Sequence, residues 1–459
     1  MNRLDNFSKY LELRKAFPFL SYDLYRYHYS GNSFEMEFLF NLAGKFWFSP
    51  HISIPLNRNL IRQTHQLSDA ALDNLVFHIG MIEMISYWKA ACPQEVRIIP
   101  HSLSTEQVSF WKKIYFQGLG EFFYLNSIKC DEEDFMHISA ESDKPVEKFR
   151  IQKEDGSIIP VGGGKDSAVT MGLLNRNGMH WTPLSINPTL AALDVIDAAG
   201  KKAEETIIIQ REIHPKLLEL NQMGFLNGHT PFSALLGFYS LLVASLSGKT
   251  DIILSNEASA NEATVPGTKI NHQYSKSIEY ENDFRTYTRE FISEDLNYFS
   301  LLRPLSELQI GGLFSHMDEF HQSFRSCNVG SKENKWCGHC PKCLFTFIIL
   351  SPFIEPEKLS NLFGKNLLED ESLTGIMQQL DGSQEIKPFE CIGTIDEVNI
   401  ALDQAVEKYR DKKMPVLLES HLAKRRTSSS DLLFKEMMKK TETGHFVPAL
   451  YKNLLMSAL

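Results

Sequence analysis

Three consecutive glycines constrain this chain more than any other feature. Gly162, Gly163 and Gly164 stand between a short apolar run, Ile158 to Val161, and a run that reads as a helix, in SIIPVGGGKDSAVTMGLL, residues 157–174. Glycine lets the backbone turn with φ > 0 and approach a ligand closely. A helix that begins there offers unpaired N–H groups and the positive end of its dipole, so the turn is an anion cradle whose natural occupant is phosphate. Ser167 can donate a hydroxyl hydrogen bond. Lys165 can add a point charge from the rim, and Asp166 can cap the helix or hold a magnesium ion. The order GGGKDS fits neither the Walker pattern nor the GxGxxG dinucleotide pattern. A bare strand-to-helix turn is the alternative reading of the glycines alone.

At 459 residues the chain has room for two or three domains. A net charge of −10 argues against a broad nucleic-acid surface, which needs clustered Lys and Arg. The opening MNRLDNFSKYLELRK has no apolar signal core, and Phe232 to Leu246 and Leu344 to Leu350 are too interrupted or too short to span a bilayer. A cytoplasmic protein with no membrane or nucleic-acid partner is expected.

Residues 1–145 read as an α+β domain. Phe34 to Leu56 carries strand patterning, and Ser68 to Ala91 a helix capped by Ser68 or Asp69; Thr105 to Leu125 is a further helix. Phe34, Phe38, Phe46, Trp47, Phe48 and Trp88 are read as core. Cys130 to Glu147 is acidic and is read as a linker. From 148 to 352 strands and helices alternate, the pattern of a parallel sheet with helices on both faces. The strands are Ile158–Val161, Pro183–Ile186, Glu205–Gln210 and Asp251–Ser255. Ligands of such sheets lie at the carboxyl ends of strands, which groups Gly162–Ser167, Asn187, Arg211, Asn256 and Glu257 around one crevice. The polar stretch Ser255 to Phe284 reads as a functional loop, with a mobile surface loop as the alternative. Residues 353–459 form a helical region, with helices at Asn361–Leu368, Leu373–Leu380, Ile395–Lys408 and Ser430–Lys439. KPFECIGT, Lys387 to Thr394, breaks that pattern and folds back. Lys424-Arg425-Arg426 with its serines reads as an exposed linker.

Four of the seven cysteines, Cys327, Cys337, Cys340 and Cys343, fall within seventeen residues. In a chain without a secretion signal this points to metal rather than disulfides. Four thiolates suit a closed tetrahedral zinc site of structural purpose; an iron–sulfur cluster and a redox CxxC are the alternatives. His339 is a spare turn residue, and Cys92, Cys130 and Cys391 are ordinary thiols.

GGGKDS resembles the SGGxDS loop of the PP-loop ATP pyrophosphatases, with Gly162 where that motif has Ser. With the Cx9CxxCxxC site, residues 155–350 resemble 7-cyano-7-deazaguanine synthase. The chain's length, the loop, NHQYSKS at Asn271–Ser277, WCGHCPKC at Trp336–Cys343 and KPFECIGT together resemble the MurL family of UDP-muramoyl dipeptide epimerases more closely, over most of the chain. That resemblance implies ATP-dependent conversion of UDP-MurNAc-L-Ala-L-Glu to the D-Glu product in bacterial peptidoglycan synthesis, through an acyl-adenylate, with release of AMP and pyrophosphate. It implies ATP and Mg²⁺ at Gly162, Gly163, Gly164, Lys165, Asp166, Ser167 and Asn187, beside structural Zn²⁺. A nucleobase-modifying adenylase and a non-catalytic nucleotide sensor are the rivals. For the α-proton the candidates are His272, Lys276, Glu257 and Glu262, with Tyr274 only if its pKa is lowered. One base and two opposed bases both stay open.

Overall fold

The computed structural model describes residues 3–57, 60, 67–424 and 430–459. Its strands are β1 (Phe19–Ser30), β2 (Ser33–Leu42), β3 (Phe46–Phe48), β4 (His51–Pro55), β5 (Glu95–Ile98), β6 (His137–Ala140), β7 (Glu154–Pro160), β8 (Trp181–Ile186), β9 (Ile207–Glu212), β10 (Lys249–Leu254) and β11 (Asn297–Ser300). The chain forms two compact units. One comprises Met1–Ile158, Glu204–Ile252 and Lys269–Tyr298; the other comprises Ile159–Ala203, Ile253–Thr268 and Phe299–Leu459. The division crosses β7, β10 and β11 and falls also after Ala203 and after Thr268.

In the first unit the sheet runs β9-β4-β2-β1-β5-β6, with β3 on β2. It is mixed. β1 and β2 pair antiparallel, while β1–β5 and β5–β6 are parallel. Two expectations change here. The acidic stretch read as a linker contains β6, because Met136 and Ile138 are buried and Glu95 pairs with His137. The strand expected within a parallel sheet, β9, pairs antiparallel with β4, Ile52 opposite Arg211. Of the aromatic residues read as core, Trp47 is 50% exposed and Phe46 is half-buried; the others are buried. Helix Asp69–Trp88 starts where Ser68 accepts from the Ala71 amide, and it is buried along nearly all its length. The expected helix Thr105–Leu125 divides into Thr105–Gly118 and Gly120–Leu125, the first opened by a Ser104–Gln107 capping box.

The second unit holds all of β8 and the carboxyl ends of β7, β10 and β11. Helix Lys165–Arg176 follows β7, and helix Leu190–Ala198 follows β8 behind a Thr189 cap. The C-terminal helices share their core: Val169, Leu173, Leu344, Ile348, Leu402 and Leu417 belong to one buried cluster. Helices Ile395–Lys408 and Ser430–Lys439 lie where the periodicity puts them. The helix expected at Asn361–Leu368 is Pro356–Phe363 instead, started by Pro356 and closed by Gly364 in the left-handed region. Arg425 and Arg426 lie outside the described residues. Among the described residues no helix is long and apolar enough to cross a membrane.

His78 ties the first unit together. It is fully buried, with Nδ1 2.7 Å from the Asn74 carbonyl oxygen and Nε2 2.9 Å from the Tyr287 hydroxyl. Burial pushes its pKa down to about 4 from 6.5, against the opposing hydrogen bond to Asn74. The folded value lies below the unfolded one, so the unfolded chain takes up the proton first on acidification. This contribution to stability is present above pH 6.5 and is lost as pH falls through about 4. Melting temperatures measured across this window should fall with pH, and less steeply in His78→Gln; equal slopes would contradict the assignment.

Candidate active site

The glycine loop is built by close packing. Gly163 has φ +86°, and a Cβ there would meet the Ala192 nitrogen at 2.7 Å and the Ala191 carbonyl carbon at 2.8 Å. Its carbonyl oxygen accepts from the Arg325 amide at 2.8 Å. Gly164 is the N-cap of helix Lys165–Arg176, and a Cβ would stand 3.0 Å from Ser326 Oγ. Around Gly162 there is open space instead, with no atom within 4 Å of a built Cβ. No side chain caps the helix, so the expected Asp166 cap is not formed. The Ser167 hydroxyl donates to the Gly164 carbonyl at 3.0 Å. First-turn amides beside a backbone that only glycine can adopt are the physical elements of an anion site.

Lys165 is not on the rim. Its side chain is 4% exposed, and Nζ donates to Asp166 Oδ1 at 2.5 Å and to the Glu307 carboxylate. Burial works to lower its pKa, but the charges of Asp166 and Glu307 outweigh this and raise it, so the ammonium persists. Carboxylate oxygens of Asp166, Glu257 and Glu307 lie within 4.8 Å of one another, a set able to hold a hard divalent cation. Asp166 is half-buried; Glu257 and Glu307 are buried. The Glu257 carbonyl accepts from the buried Arg303 Nη1 at 2.6 Å, and the Ala258 amide donates to Leu305 at 3.1 Å.

Glu307 was missed in the sequence, although Ser306-x-x-Gln309 forms a capping box around it. Its amide donates to Glu397 Oε1 at 2.6 Å, and Glu397 Oε2 accepts from the Thr394 amide at 2.7 Å. Gly393 makes this approach possible, since a Cβ would lie 2.7 Å from Glu397 Oε2 and 3.0 Å from Glu307 Cγ. The KPFECIGT stretch thus does fold back: Lys387 pairs with Glu262 and donates to the Gly393 carbonyl at 2.8 Å. Thr394-x-x-Glu397 was the sequence signal for this arm, legible as a helix start but not as a neighbour of the loop.

Other expected residues divide between the units. Asn187, at φ +45°, stands exposed at the end of β8 in the second unit. Arg211 belongs to the first unit and grips Glu83 with two hydrogen bonds, Nε to Oε1 at 2.6 Å and Nη2 to Oε2 at 2.7 Å, so it serves the core there. His272 and Lys276 are also in the first unit, on a stretch that is less irregular than expected, since helix Ile278–Phe291 starts at a Ser277 cap. His272 Nδ1 pairs with the Glu121 carboxylate. Burial raises the Tyr274 hydroxyl pKa, the reverse of what a base requires.

The four cysteines converge in the second unit. Sγ–Sγ separations are 3.9 Å for Cys327–Cys340, 3.7 Å for Cys337–Cys343 and 3.5 Å for Cys340–Cys343. Zinc–sulfur bonds of about 2.3 Å give a tetrahedron with edges of about 3.8 Å. The set fits a single ion; an iron–sulfur cluster would hold the thiolates apart with its own atoms. The Gly330 and Cys337 amides point at Cys327 Sγ, at 3.1 and 3.4 Å. Pro341 then starts helix Pro341–Leu350. His339 is exposed and bonds only locally, to the Cys337 carbonyl.

Comparison with known proteins agrees over both units. The family model of the MurL N-terminal domain matches residues 12–301, and that of the MurL C-terminal domain matches residues 321–433. Three relatives are named UDP-N-acetyl-alpha-D-muramoyl-L-alanyl-L-glutamate epimerase. The protein from Xanthomonas oryzae pv. oryzae is 35% identical over 333 residues, 71% of this chain and 72% of the relative. That from Micromonospora sp. is 33% identical over 76% of this chain and 78% of its own. That from Salinispora tropica is 32% identical over 76% of each.

The loop geometry sorts its glycines. Gly163→Ala should lose roughly 1–3 kcal/mol to backbone strain alone, with the clash against Ala191 and Ala192 added. Gly162→Ser should leave the melting temperature within about 1 °C of wild type, because nothing opposes its side chain. Equal thermal stability of the two variants would contradict the loop geometry.

Proposed function

The chain belongs to the MurL family, and we propose that it inverts the terminal glutamate of UDP-MurNAc-L-Ala-L-Glu at the expense of ATP, releasing AMP and pyrophosphate. It is an epimerase of peptidoglycan synthesis on the strength of its relatives' shared name and their coverage. The observation that carries the ATP part is the glycine loop, with Gly163 held against Ala191 and Ala192 at the start of an uncapped helix. Relatives that are all epimerases set the nucleobase-modifying alternative aside.

The chemistry explains the need for a nucleotide. The α-proton beside a free carboxylate is scarcely acidic, because its removal adds charge to a group already negative. Adenylation of the terminal carboxylate removes that charge and makes the carbonyl an electron sink. The proton can then leave and return on the other face, and water releases AMP.

In this reading the amides at Gly163, Gly164 and the first helical turn hold phosphate oxygens, with Asn187 at the adjoining strand end. Ser167 turns its hydroxyl from the Gly164 carbonyl to a phosphate oxygen. Asp166, Glu257 and Glu307 are the residues that would hold Mg²⁺, which neutralises phosphate charge when bound. Lys165 neutralises Asp166 and Glu307 until then. Its charge stays in place as negative charge develops on the leaving pyrophosphate. Of the candidates for moving the α-proton, Glu257 belongs to this carboxylate set and Glu262 pairs with Lys387, both in the second unit, while His272 and Lys276 belong to the first. Cys327, Cys337, Cys340 and Cys343 would hold zinc with no open position, a structural role.

The test is incubation with ATP, Mg²⁺ and the UDP-muramoyl dipeptide, with AMP and the configuration of the product glutamate both measured. Stoichiometric AMP and D-Glu product are expected. AMP without D-Glu would sink the epimerase reading, and D-Glu without AMP would sink the adenylation. Asp166→Ala and Ser167→Ala should each lower the rate by about 10²–10³ with fold and zinc content retained; full activity in both would mean the loop is a bare turn.

A further inference from the structure

The first unit gathers ligand-type side chains from three distant stretches of chain. Glu121 lies in the first turn of helix Gly120–Leu125, His229 in the loop before helix Phe232–Leu246, and His272 just before the turn Tyr274–Lys276. One carboxylate oxygen and two ring nitrogens lie within 4.8 Å of one another. His272 Nδ1 is hydrogen-bonded to Glu121 Oε2, and His229 Nδ1 stands 3.3 Å from the same oxygen. The Glu121 side chain is 6% exposed, while His272 and His229 are 14% and 19% exposed. The carboxylate is therefore at the base of the cluster and the imidazoles are at its mouth.

Each arm is held by its surroundings. Lys89 Nζ donates to the Gly228 carbonyl and, at 2.6 Å, to Thr230 Oγ1, bracketing His229 on both sides. Gly228 lets this loop close onto the Glu121 helix, because a Cβ there would lie 3.0 Å from the Phe122 ring. Asn271 Oδ1 accepts from the Gln273 amide at 2.7 Å and the Asn271 carbonyl from the Tyr274 amide at 3.1 Å, which sets His272 at the apex of a turn.

We propose that Glu121, His229 and His272 form a metal site for a divalent ion of the zinc class, separate from the four-cysteine site. Two imidazole nitrogens and one carboxylate oxygen select a borderline ion over magnesium, which prefers oxygen ligands throughout. All three donor atoms already lie within 4.8 Å of one another, so the ion takes the place of the hydrogen bonds among them. Three protein ligands leave a fourth position open, the arrangement of a reactive rather than a structural zinc. That position takes water or an anionic oxygen, carboxylate or phosphate. His272 is then a ligand, in place of the proton-transfer role its sequence position suggested. The inference does not rest on the nucleotide reading, and its test reads metal rather than turnover.

The full-length protein, stripped with chelator and re-equilibrated with Zn²⁺, is assayed for bound zinc by mass spectrometry beside His229→Ala, His272→Ala and Cys340→Ser. Each histidine variant should hold one equivalent fewer than wild type, with the equivalent lost in Cys340→Ser retained. Zinc content equal to wild type in the folded histidine variants would overturn the site. Wild-type crystals soaked in Zn²⁺ give a check that needs no variant. An anomalous peak among Glu121, His229 and His272 is expected, and its absence would overturn the proposal even if a variant failed to fold.

Discussion

A buried ammonium needs its counter-charges, and Lys165 imposes that need on the whole second unit. Its partners are Asp166, next to it in the chain, and Glu307, from the start of another helix. Only the pair with Glu307 is buried on both sides, and removing one member of such a pair typically costs about 3–5 kcal/mol, since the other is left unpaired. Glu307 is in turn held by Glu397, which closes its own helix start through Thr394. A side chain at Gly393 would meet the Glu397 carboxylate and the Glu307 side-chain stem. The loop, one capping box from the middle of the chain and another from the C-terminal region are thus one electrostatic assembly. The C-terminal helices share its apolar core.

How much of this was legible follows from the range of each signal. Helices Asp69–Trp88, Ile395–Lys408 and Ser430–Lys439 could be read because cap and periodicity are local. The glycine loop was legible because a run of glycines between an apolar strand and a helix is a local signal. The strand β6 was hidden by acidic neighbours, and the antiparallel pairing of β9 with β4 could not be read, because pairing is chosen by tertiary packing. Lys165 looks like a surface charge until Glu307 is known to lie opposite it. The capping boxes at Ser306 and Thr394 were visible, but nothing local tells which helix start meets which.

The titratable clusters of the two units differ in kind. Asp166, Glu257 and Glu307 form an oxygen-only set around an ammonium, suited to a hard cation and phosphate. The four cysteines converge within the span of a single soft-ligand ion, and Glu121, His229 and His272 offer a mixed set. Under the readings proposed above, these donor sets suit three different chemistries: nucleotide charge, structural pinning and an open metal position. Membership of the MurL family gives the first of these a reason, since an amino-acid α-carbon next to a free carboxylate needs activation before it can be inverted.

The central claim is that adenylation must precede loss of the α-proton. It is tested most directly by incubating the enzyme with the UDP-muramoyl dipeptide in D₂O, with and without ATP and Mg²⁺, and measuring deuterium at the glutamate α-carbon. The account predicts deuterium only when ATP is present. Deuterium entering at the same rate without ATP would contradict it, even if the product is D-Glu.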